Sequence, residues 1–384
     1  MPGKTILILG GGIGGQVAAN HLRRLLGREH RIVVVERERT YVFSPSLLWM
    51  IVGAREPAQF SREFDRIKRK GIEVVQAEVT AMDPAARRVH TTAGELTGDY
   101  LIIALGAELD HHAVPGWKPA AINFYCLKGA ELTRSALASF QGGRLAIVVA
   151  ATPFKCPAAP YEAAMLIADY FTHRGLRSKV DLQVYTPDPL PMPIAGPVLG
   201  NAVREMLEQR GIGFHPNLKL ARVDGEARKL IFAGGKSADF DLLLGVPPHR
   251  APAVVRESDL VNEAGWIPVD AKTLRTRYER AYAIGDVTTI MLPVGKPLPK
   301  AGVFAHHEAE TVARNVAAEI QGKKPEQAFD GRGYCFLELG GGQAGFASGD
   351  FYASPEPMVK LQRPGYHWHW GKILFERWWL SKWF

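Results

Sequence analysis

The chain has 384 residues, 47% hydrophobic and 22% charged, which is typical of a folded protein with two or three domains. Its net charge of +8 comes from scattered basic residues rather than a basic stripe with interleaved aromatics, which argues against nucleic acid as a partner. It has no apolar run of about 18 residues and no separate signal-peptide region, so we expect neither a membrane-spanning helix nor a signal peptide.

The N-terminal segment predicts a dinucleotide-binding unit. A short apolar run precedes "GGGIGGQVAANHLRRLLG", residues 10–27, and a second apolar run ends at Glu36. This order of strand, glycine turn, helix and strand is a βαβ unit. In the G-x-G-x-x-G pattern, Gly10 makes the tight turn, Gly12 lets a pyrophosphate approach the backbone, and Gly15 lets the helix pack on the strand. Glu36 can accept hydrogen bonds from ribose hydroxyls.

The later apolar runs predict a second α/β unit, a return to the first, and a different C-terminal region. The predicted elements are strands at 72–79, 99–105 and 144–150, a helix at 160–173, strands at 180–185, 240–246 and 281–284, a helix at 302–320, and glycine-linked strands from about 327 before an aromatic tail at 364–384. The predicted domains are 1–110 with 266–325 for a discontinuous first domain, 111–265 for a second, and 326–384 for a C-terminal region.

A second motif favours FAD as the dinucleotide. "YAIGD", residues 282–286, resembles the second FAD signature of flavoproteins with two dinucleotide-binding, glutathione-reductase-like domains, and "DYLIIALGA", residues 99–107, matches the same class. In that class the acid at the strand end bonds the ribityl chain, and the next helix points its N-terminus at the flavin. The resemblance implies an α/β fold with two Rossmann-like domains. The FAD contacts expected beyond the glycine turn and Glu36 are Val79, Gly106, Gly285, Asp286, Lys300 and Gly302.

The second α/β unit lacks the glycine turn that NADH would need. The segment after its first strand reads "AATPFKC", residues 150–156, and Pro153 removes a backbone donor. NADH is therefore not the expected reductant. Cys156 lies at a predicted helix start beside Lys155, which predicts a lowered thiol pKa and a nucleophilic or redox role. A thiol that merely packs is the alternative.

Proton transfer has several candidates in the sequence. Glu162, six residues after Cys156, is close enough to act as a proton relay, although a solvated acid on a helix face would look the same. His306 and His307, at the start of a predicted helix, are alternatives. The odd, sparse cysteine count argues against a structural disulfide framework. We expect no metal site.

Several segments together resemble the sulfide:quinone oxidoreductase family, which is related to the flavoprotein subunit of flavocytochrome c sulfide dehydrogenase. They are "FKCPAAPYEAA", "LPKAGVFAHHEAE" and the tail "HWHWGKILFERWW", together with the three cysteines Cys126, Cys156 and Cys335. The tail contributes the pattern H-W-x-K-x-x-F-E, formed by His369, Trp370, Lys372, Phe375 and Glu376.

The resemblance implies a mechanism. Cys156 and Cys335 would face each other beside the flavin as a redox pair, and sulfide would leave a persulfide on one of them. Electrons would pass through FAD to a membrane quinone, and sulfur would leave as polysulfide or zero-valent sulfur. Cys126 aligns with a third family cysteine that either helps to hold and release the sulfur chain or attaches to the flavin.

The tail carries the implied quinone site. Lys372 matches a family lysine near the flavin C2 carbonyl and the quinone oxygen, where a positive charge would stabilise developing negative charge. Phe375 matches a ring that stacks on the quinone, and Phe336 is a second candidate. Packing in a core is the alternative for each aromatic.

The last 17 residues hold five of the eight tryptophans, beside several cations. Such a composition suits a bilayer interface. The charges are not confined to one helical face, so we expect a tail docked on the protein with its last turns touching lipid. The protein would then be a monotopic inner-membrane protein, with its catalytic part on the cytoplasmic side and with oligomerisation assisting membrane binding.

Three other functions stay open. A type II NADH:quinone oxidoreductase is disfavoured by the missing second glycine motif. A sulfide dehydrogenase that passes electrons to a cytochrome is disfavoured by the quinone-like tail and the absence of a signal peptide. A non-catalytic flavin-binding redox sensor is disfavoured by conventional motifs at every site.

Overall fold

The computed structural model describes residues 3–384, in which strands are spread over the whole length. The strands are β1 (Thr5–Leu9), β2 (Arg31–Glu36), β3 (Thr40–Val42), β4 (Ser61–Glu63), β5 (Glu73–Gln76), β6 (Val79–Asp83), β7 (Arg88–Thr91), β8 (Gly94–Thr97), β9 (Tyr100–Ile103), β10 (Glu108–Leu109), β11 (Ile122–Asn123), β12 (Gly143–Val149), β13 (Val180–Tyr185), β14 (Gly213–His215), β15 (Leu220–Asp224), β16 (Lys229–Phe232), β17 (Ser237–Asp239), β18 (Leu242–Val246), β19 (His249–Arg250), β20 (Ile267–Pro268), β21 (Ala281–Ala283), β22 (Thr288–Thr289), β23 (Arg332–Gly340), β24 (Gln343–Asp350) and β25 (Met358–Gly365).

Helices connect most of the strands of the two large sheets. They are α1 (Ile13–Leu25), α2 (Leu47–Ile51), α3 (Pro57–Phe60), α4 (Asp65–Lys68), α5 (Trp117–Ala120), α6 (Leu127–Ser139), α7 (Ala159–His173), α8 (Pro197–Glu208), α9 (Ala253–Arg256), α10 (Gly302–Ile320) and α11 (Tyr366–Trp383).

The first large sheet is parallel and has the order β21-β9-β1-β2-β5. The inner strands β9, β1 and β2 are mostly buried apolar runs, as expected where helices and loops cover both faces, whereas the edge strand β5 is partly exposed. Helices α1 and α10 pack against each other on one of these faces. Strand β21 returns to this sheet after the second sheet is complete, as the sequence predicts for a discontinuous first unit.

The second large sheet is also parallel, with the order β11-β18-β12-β13-β14. Helix α7 follows its central strand β12 and packs against both β12 and β23. Strands β23, β24 and β25 form an antiparallel sheet that α11 crosses. The predicted α/β fold class, with a β-rich, aromatic C-terminal region, is confirmed.

One predicted strand is wrong. The run at 72–79 forms two strands, β5 and β6, in different sheets. Ala77 still donates its amide to the Glu36 carbonyl at 3.0 Å, but the chain then leaves the first sheet. From Val79 it enters the antiparallel β6-β7-β8 sheet. Apolar character alone does not show which sheet a segment joins.

The aromatic tail forms the single helix α11, and its last turns pack on the protein. Trp379 Nε1 donates to the Tyr41 hydroxyl at 2.9 Å, and Asn20 Nδ2 donates to the Trp383 carbonyl at 3.3 Å. Trp383 is fully buried. These contacts dock the last turns on the protein, while Trp378 in the same turns is 43% exposed, so contact of the tail with lipid stays a prediction. Within residues 3–384, no helix has both the length and the apolar character needed to cross a bilayer.

Candidate active site

A large cavity of about 1370 Å³ lies where the two parallel sheets and the C-terminal region meet. Of the two alternative histidines, His306 lines it and His307 does not; of the other predicted site residues, only Gly15 does not. The residues that do are Gly10, Gly12, Glu36, Val79, Gly106, Cys126, Cys156, Glu162, Gly285, Asp286, Lys300, Gly302, Cys335, Phe336, Lys372 and Phe375.

The glycine turn after β1 forms one end of the cavity. Gly10 has φ of +95°, and a side chain there would lie 2.5 Å from the Ala104 carbonyl oxygen. Gly12 is the residue before α1, and a Cβ atom there would have nothing within 4 Å. A Cβ atom on Gly15 would clash with the Gly10 carbonyl, so Gly15 supports helix packing rather than the cavity wall. The open space at Gly12, facing the start of α1, fits a pyrophosphate.

Glu36 lies beside this turn. Its Oε2 accepts a hydrogen bond from the Gly11 amide at 2.7 Å, and its Oε1 accepts one from the Glu38 amide at 2.9 Å. These bonds hold the carboxylate at the cavity wall next to the helix start. The position fits hydrogen bonding to a ribose.

The turn after β21 forms the next part of the wall. Lys300 Nζ donates to the carbonyls of Asp286 at 2.7 Å and Thr288 at 2.9 Å, and it lies 3.4 Å from the centre of the Trp266 ring. Burial lowers the pKa of Lys300 to about 8. Lys300 therefore fixes the backbone of the turn that carries Asp286. Together with the glycine turn, this arrangement fits FAD.

A buried acid at this turn, Glu308, was not among the predicted site residues. Glu308, on α10, is 1% exposed and accepts a hydrogen bond from the Gly285 amide at 2.6 Å. Burial raises the pKa of Glu308 to about 7. The only signal in the sequence is an acid within the otherwise buried face of the predicted helix.

Cys156 lies three residues before the first residue of α7 and has φ of +53°. Its amide donates to the Lys300 carbonyl at 2.8 Å, and its carbonyl accepts from the Tyr125 hydroxyl at 3.2 Å. The predicted lowering of its pKa is wrong. Burial, followed by the charge of Glu162, raises the pKa of Cys156 to about 12.

The other two thiols line the same cavity. Cys335, on β23, has its Sγ 3.2 Å from the Phe336 carbonyl oxygen, and burial with the charge of Glu162 raises its pKa well above the usual range. Cys126 directly precedes α6, and its Sγ lies 3.4 Å from Asn123 Oδ1. All three thiols are free in this structure.

A buried ion pair adjoins the thiols. Glu162 Oε2 accepts hydrogen bonds from Lys372 Nζ and from the Glu338 amide, both at 2.9 Å. Glu162 is 2% exposed, so the alternative of a solvated helix-face acid is wrong. Burial acts to lower the pKa of Lys372, but the carboxylates of Glu162 and Glu338 outweigh it and raise the pKa.

Two further residues extend this pair and were not among the predicted site residues. Glu338 Oε2 lies 2.9 Å from His369 Nδ1, and Glu338 Oε1 lies 4.0 Å from Lys372 Nζ. Trp49 covers the group, with its ring centre 5.0 Å from Lys372 Nζ. An acid between two leucines in the strand "FLELG" is the signal that could have identified Glu338.

An aromatic cluster forms the far end of the cavity. The Phe375 ring lies 6.1 Å from Phe336 and 6.0 Å from Phe43, measured between ring centres. His306 packs 5.4 Å from the Trp379 ring, and burial lowers its pKa to about 4. His306 therefore packs among tryptophans, and its Nε2 lies 3.5 Å from Glu310 Oε1. The rings at this end fit a flat, apolar molecule.

The sequence and the fold of this chain are similar to those of several known proteins. The family model described as pyridine nucleotide-disulphide oxidoreductase matches residues 4–310. A mitochondrial sulfide:quinone oxidoreductase of Mus musculus is 27% identical, covering 91% of this chain and 79% of the mouse protein. A type II NADH:quinone oxidoreductase of Staphylococcus aureus is 23% identical, covering 84% of both chains. The solved sulfide:quinone oxidoreductase of Aquifex aeolicus is similar in fold, with a TM-score of 0.89, 23% identity, and coverage of 99% of this chain and 91% of that one.

Proposed function

The chain belongs to the pyridine nucleotide-disulphide oxidoreductase family, and we propose that it oxidises sulfide and passes the electrons through FAD to a membrane quinone. It is an FAD-dependent oxidoreductase, and its relationship to the sulfide:quinone oxidoreductases is confirmed by relatives that match most of its length. The proposal concerns the substrates, the thiol pair and the route of the electrons.

One observation carries the proposal. The segment that would bind NADH in a second nucleotide site contributes Cys156 to the same cavity that Cys335 and the first glycine turn line. The position after β12 contains no glycine, and Pro153 offers no backbone donor, so it favours a thiol rather than a nucleotide. This arrangement supports a Cys156–Cys335 redox pair, and Cys126 is a third sulfur within the cavity.

The proposed reaction uses the two thiols, Lys372 and bound FAD. In the proposed reaction, HS⁻ attacks one sulfur of a Cys156–Cys335 disulfide, which forms a persulfide and releases the other sulfur with the electron pair. The positive charge of Lys372 acts to lower the pKa of both thiols and so stabilises the released sulfur. Bound FAD supplies the two-electron acceptor. The overall reaction is HS⁻ + quinone + H⁺ → S⁰ + quinol, with sulfur leaving as polysulfide or zero-valent sulfur.

The quinone side is supported by the aromatic end of the cavity. We assign Phe336 and Phe375 to the quinone ring and Lys372 to its oxygen, because a buried cation beside an apolar slot stabilises negative charge that develops during reduction.

The glycines, Glu36, Val79 and Asp286 are assigned to FAD. The predicted domain boundaries at 110, 265 and 325 are part of the same proposal, as is a monotopic position on the inner membrane with the catalytic part on the cytoplasmic side.

Contact with the membrane is supported by one face of α11. Tyr366, Trp370, Leu374 and Trp378 follow one another every four residues and are 60%, 62%, 61% and 43% exposed. Of the charged side chains of α11, Lys372 and Glu376 are buried and Arg377, next to Trp378, is exposed. An exposed aromatic and apolar stripe of this kind suits the bilayer interface.

The membrane proposal has a matched pair of variants. Leu374→Ser removes an exposed leucine from the stripe, and Leu132→Ser removes one of similar exposure, 52%, from α6. We expect only Leu374→Ser to reduce co-sedimentation with vesicles of anionic and zwitterionic lipids. Equal binding by both variants would rule out the stripe. Assembly with copies of itself, proposed as a further aid to membrane binding, is tested by light scattering in detergent.

The central experiment is an anaerobic titration of the FAD-loaded protein. Micromolar sulfide should bleach the flavin absorbance, and decylubiquinone should restore it. Bleaching by NADH would instead indicate a type II NADH:quinone oxidoreductase. Reoxidation by a cytochrome but not by decylubiquinone would indicate a cytochrome-linked sulfide dehydrogenase. A flavin that neither donor bleaches would contradict an enzymatic role for the thiols.

A further inference from the structure

We propose that protons enter the cavity through Glu338 and His369, which extend the Glu162–Lys372 ion pair to the surface. This inference rests on the proposed function and adds a proton-uptake path to it. Glu338 and His369 do not line the cavity, so they would act through Lys372 and Glu162 rather than by touching substrate.

The four side chains form a graded series from the cavity to solvent. Glu162 and Lys372 line the cavity, with side chains 3% and 6% exposed. Glu338 is 1% exposed and His369 is 24% exposed. Two links are short: 2.9 Å from Glu162 Oε2 to Lys372 Nζ, and 2.9 Å from Glu338 Oε2 to His369 Nδ1. His369 is therefore the member of the series through which protons exchange with solvent.

The contact between Glu338 and Lys372 is the middle link of this series. Glu338 Oε1 is buried and, among residues 3–384, has no hydrogen-bond partner, while Lys372 Nζ lies 4.0 Å away. A buried carboxylate oxygen without a partner is costly and calls for an explanation. A small movement of the flexible lysine ammonium group would close the gap, and a proton on the carboxyl group would remove the cost. Both are states that a proton relay visits and that a static structural ion pair does not need.

The chemistry of the reaction requires such a path. HS⁻ loses two electrons and one proton when it becomes zero-valent sulfur, whereas a quinone takes up two electrons and two protons. One proton per turnover must therefore come from solvent, and the balance places this uptake in the quinone half of the reaction. The cavity end that holds Phe336 and Phe375 is apolar, so a proton needs titratable groups to reach it.

The groups packed around His369 leave Glu338 as its acidic partner. Glu338 faces it from β23, and Lys372 lies one turn along its own helix. From the α2 side, the Trp49 ring lies 5.9 Å away edge-on, and Arg55 stacks on that ring at 4.5 Å. Arg55 is itself paired with Glu376 at 3.1 Å. The negative charge nearest to His369 is therefore that of Glu338, which can accept its proton.

The test compares two histidines on the same helix. His369→Gln removes the proposed entry group, while His367→Gln changes an exposed histidine two residues away that makes no contact with the network. In stopped-flow experiments under anaerobic conditions, the flavin is first reduced by sulfide and then mixed with decylubiquinone in weak buffer that contains a pH-indicator dye. We expect His369→Gln to slow both proton uptake and flavin reoxidation about tenfold to a hundredfold. Reduction by sulfide should keep its wild-type rate, and His367→Gln should match wild type throughout.

Chemical rescue separates proton transfer from structural damage. Added imidazole should restore proton uptake in His369→Ala but not in Glu338→Gln, which keeps the shape of the side chain without its titrating group. Wild-type proton uptake in both His369→Gln and Glu338→Gln would overturn the proposal. So would a loss that imidazole does not rescue and that follows a fall in melting temperature. A wild-type protein that sulfide does not reduce would instead contradict the proposed function, which keeps the two failures distinct.

Discussion

The turns after β1 and β12 occupy equivalent places at the centres of two parallel sheets, yet the first carries glycines and the second carries a proline, a lysine and a cysteine. After β1, Gly12 leaves open space before α1, and the neighbouring strand β2 ends at Glu36. After β12 the turn contains no glycine, and the neighbouring strand ends at Tyr185, which stacks on His215 at 4.6 Å between ring centres. Both features of a nucleotide site, the open turn and the acid, are absent from the second sheet. A Rossmann-like sheet thus fixes where a site lies, while the turn decides what it binds.

The strongest test of this difference removes the thiol of the second turn. Cys156→Ala should lower the rate of flavin reduction by sulfide by about 10⁴-fold or more, because a covalent sulfur step has no substitute group. FAD absorbance should be retained, since the first turn is untouched. Cys335→Ala should behave in the same way. Stopped-flow reduction measures both, and a rate within tenfold of wild type would remove the distinction between the turns.

The burial of Cys156 in the second turn predicts a thiol that reacts slowly with alkylating reagents. The pKa of Cys156 is raised from 9.0 to about 12, so its thiolate fraction at pH 8 should be about a thousandfold below that of an ordinary cysteine. In the reduced protein, iodoacetamide should therefore label Cys156 slowly. The rate should rise about tenfold per pH unit between pH 8 and 10, which mass spectrometry can follow. Fast, pH-independent labelling would show an activated thiolate instead.

Substitutions of two glycines in the first turn should have different effects on protein stability and on FAD binding. A methyl group at Gly15 meets the Gly10 carbonyl, so Gly15→Ala should lower the free energy of unfolding by about 1–3 kcal/mol. At Gly12 the added methyl group meets no protein atom, so Gly12→Ala should leave the stability of the FAD-free protein unchanged and weaken FAD binding. Thermal unfolding with and without FAD separates the two. Equal destabilisation of the FAD-free protein would show that Gly12 is a packing residue.

The smallest expected effect concerns the acid at the end of β2. Glu36→Gln keeps a polar group but weakens the hydrogen bonds that a charged acceptor makes with ribose hydroxyls and backbone amides. FAD should bind about tenfold more weakly, equivalent to about 1.4 kcal/mol. Titration of the FAD-free protein by flavin fluorescence measures this. Unchanged affinity would leave the glycine turn as the main determinant of FAD binding.

The order of strands and helices was predictable because it rests on local apolar patterns and glycine turns. Those patterns do not show which sheet a segment joins, so the division between β5 and β6 was missed. The pKa of Cys156 was predicted with the wrong sign, because a nearby helix start is visible in the sequence and the depth of burial is not. Glu162 and Lys372 lie 210 positions apart, and their pairing depends on α7, β23 and α11 meeting. The roles given to the individual site residues stay predictions.

The left-handed backbone of Cys156 has a consequence for how such a site can arise. A φ of +53° is a conformation that glycine adopts freely and other residues seldom do. The glycine codons GGU and GGC differ from the cysteine codons UGU and UGC only in their first base. A single nucleotide change can therefore exchange a glycine of this shape for a thiol without moving the backbone. The backbone of this turn therefore suits either residue, so a thiol here needs no accompanying change of fold.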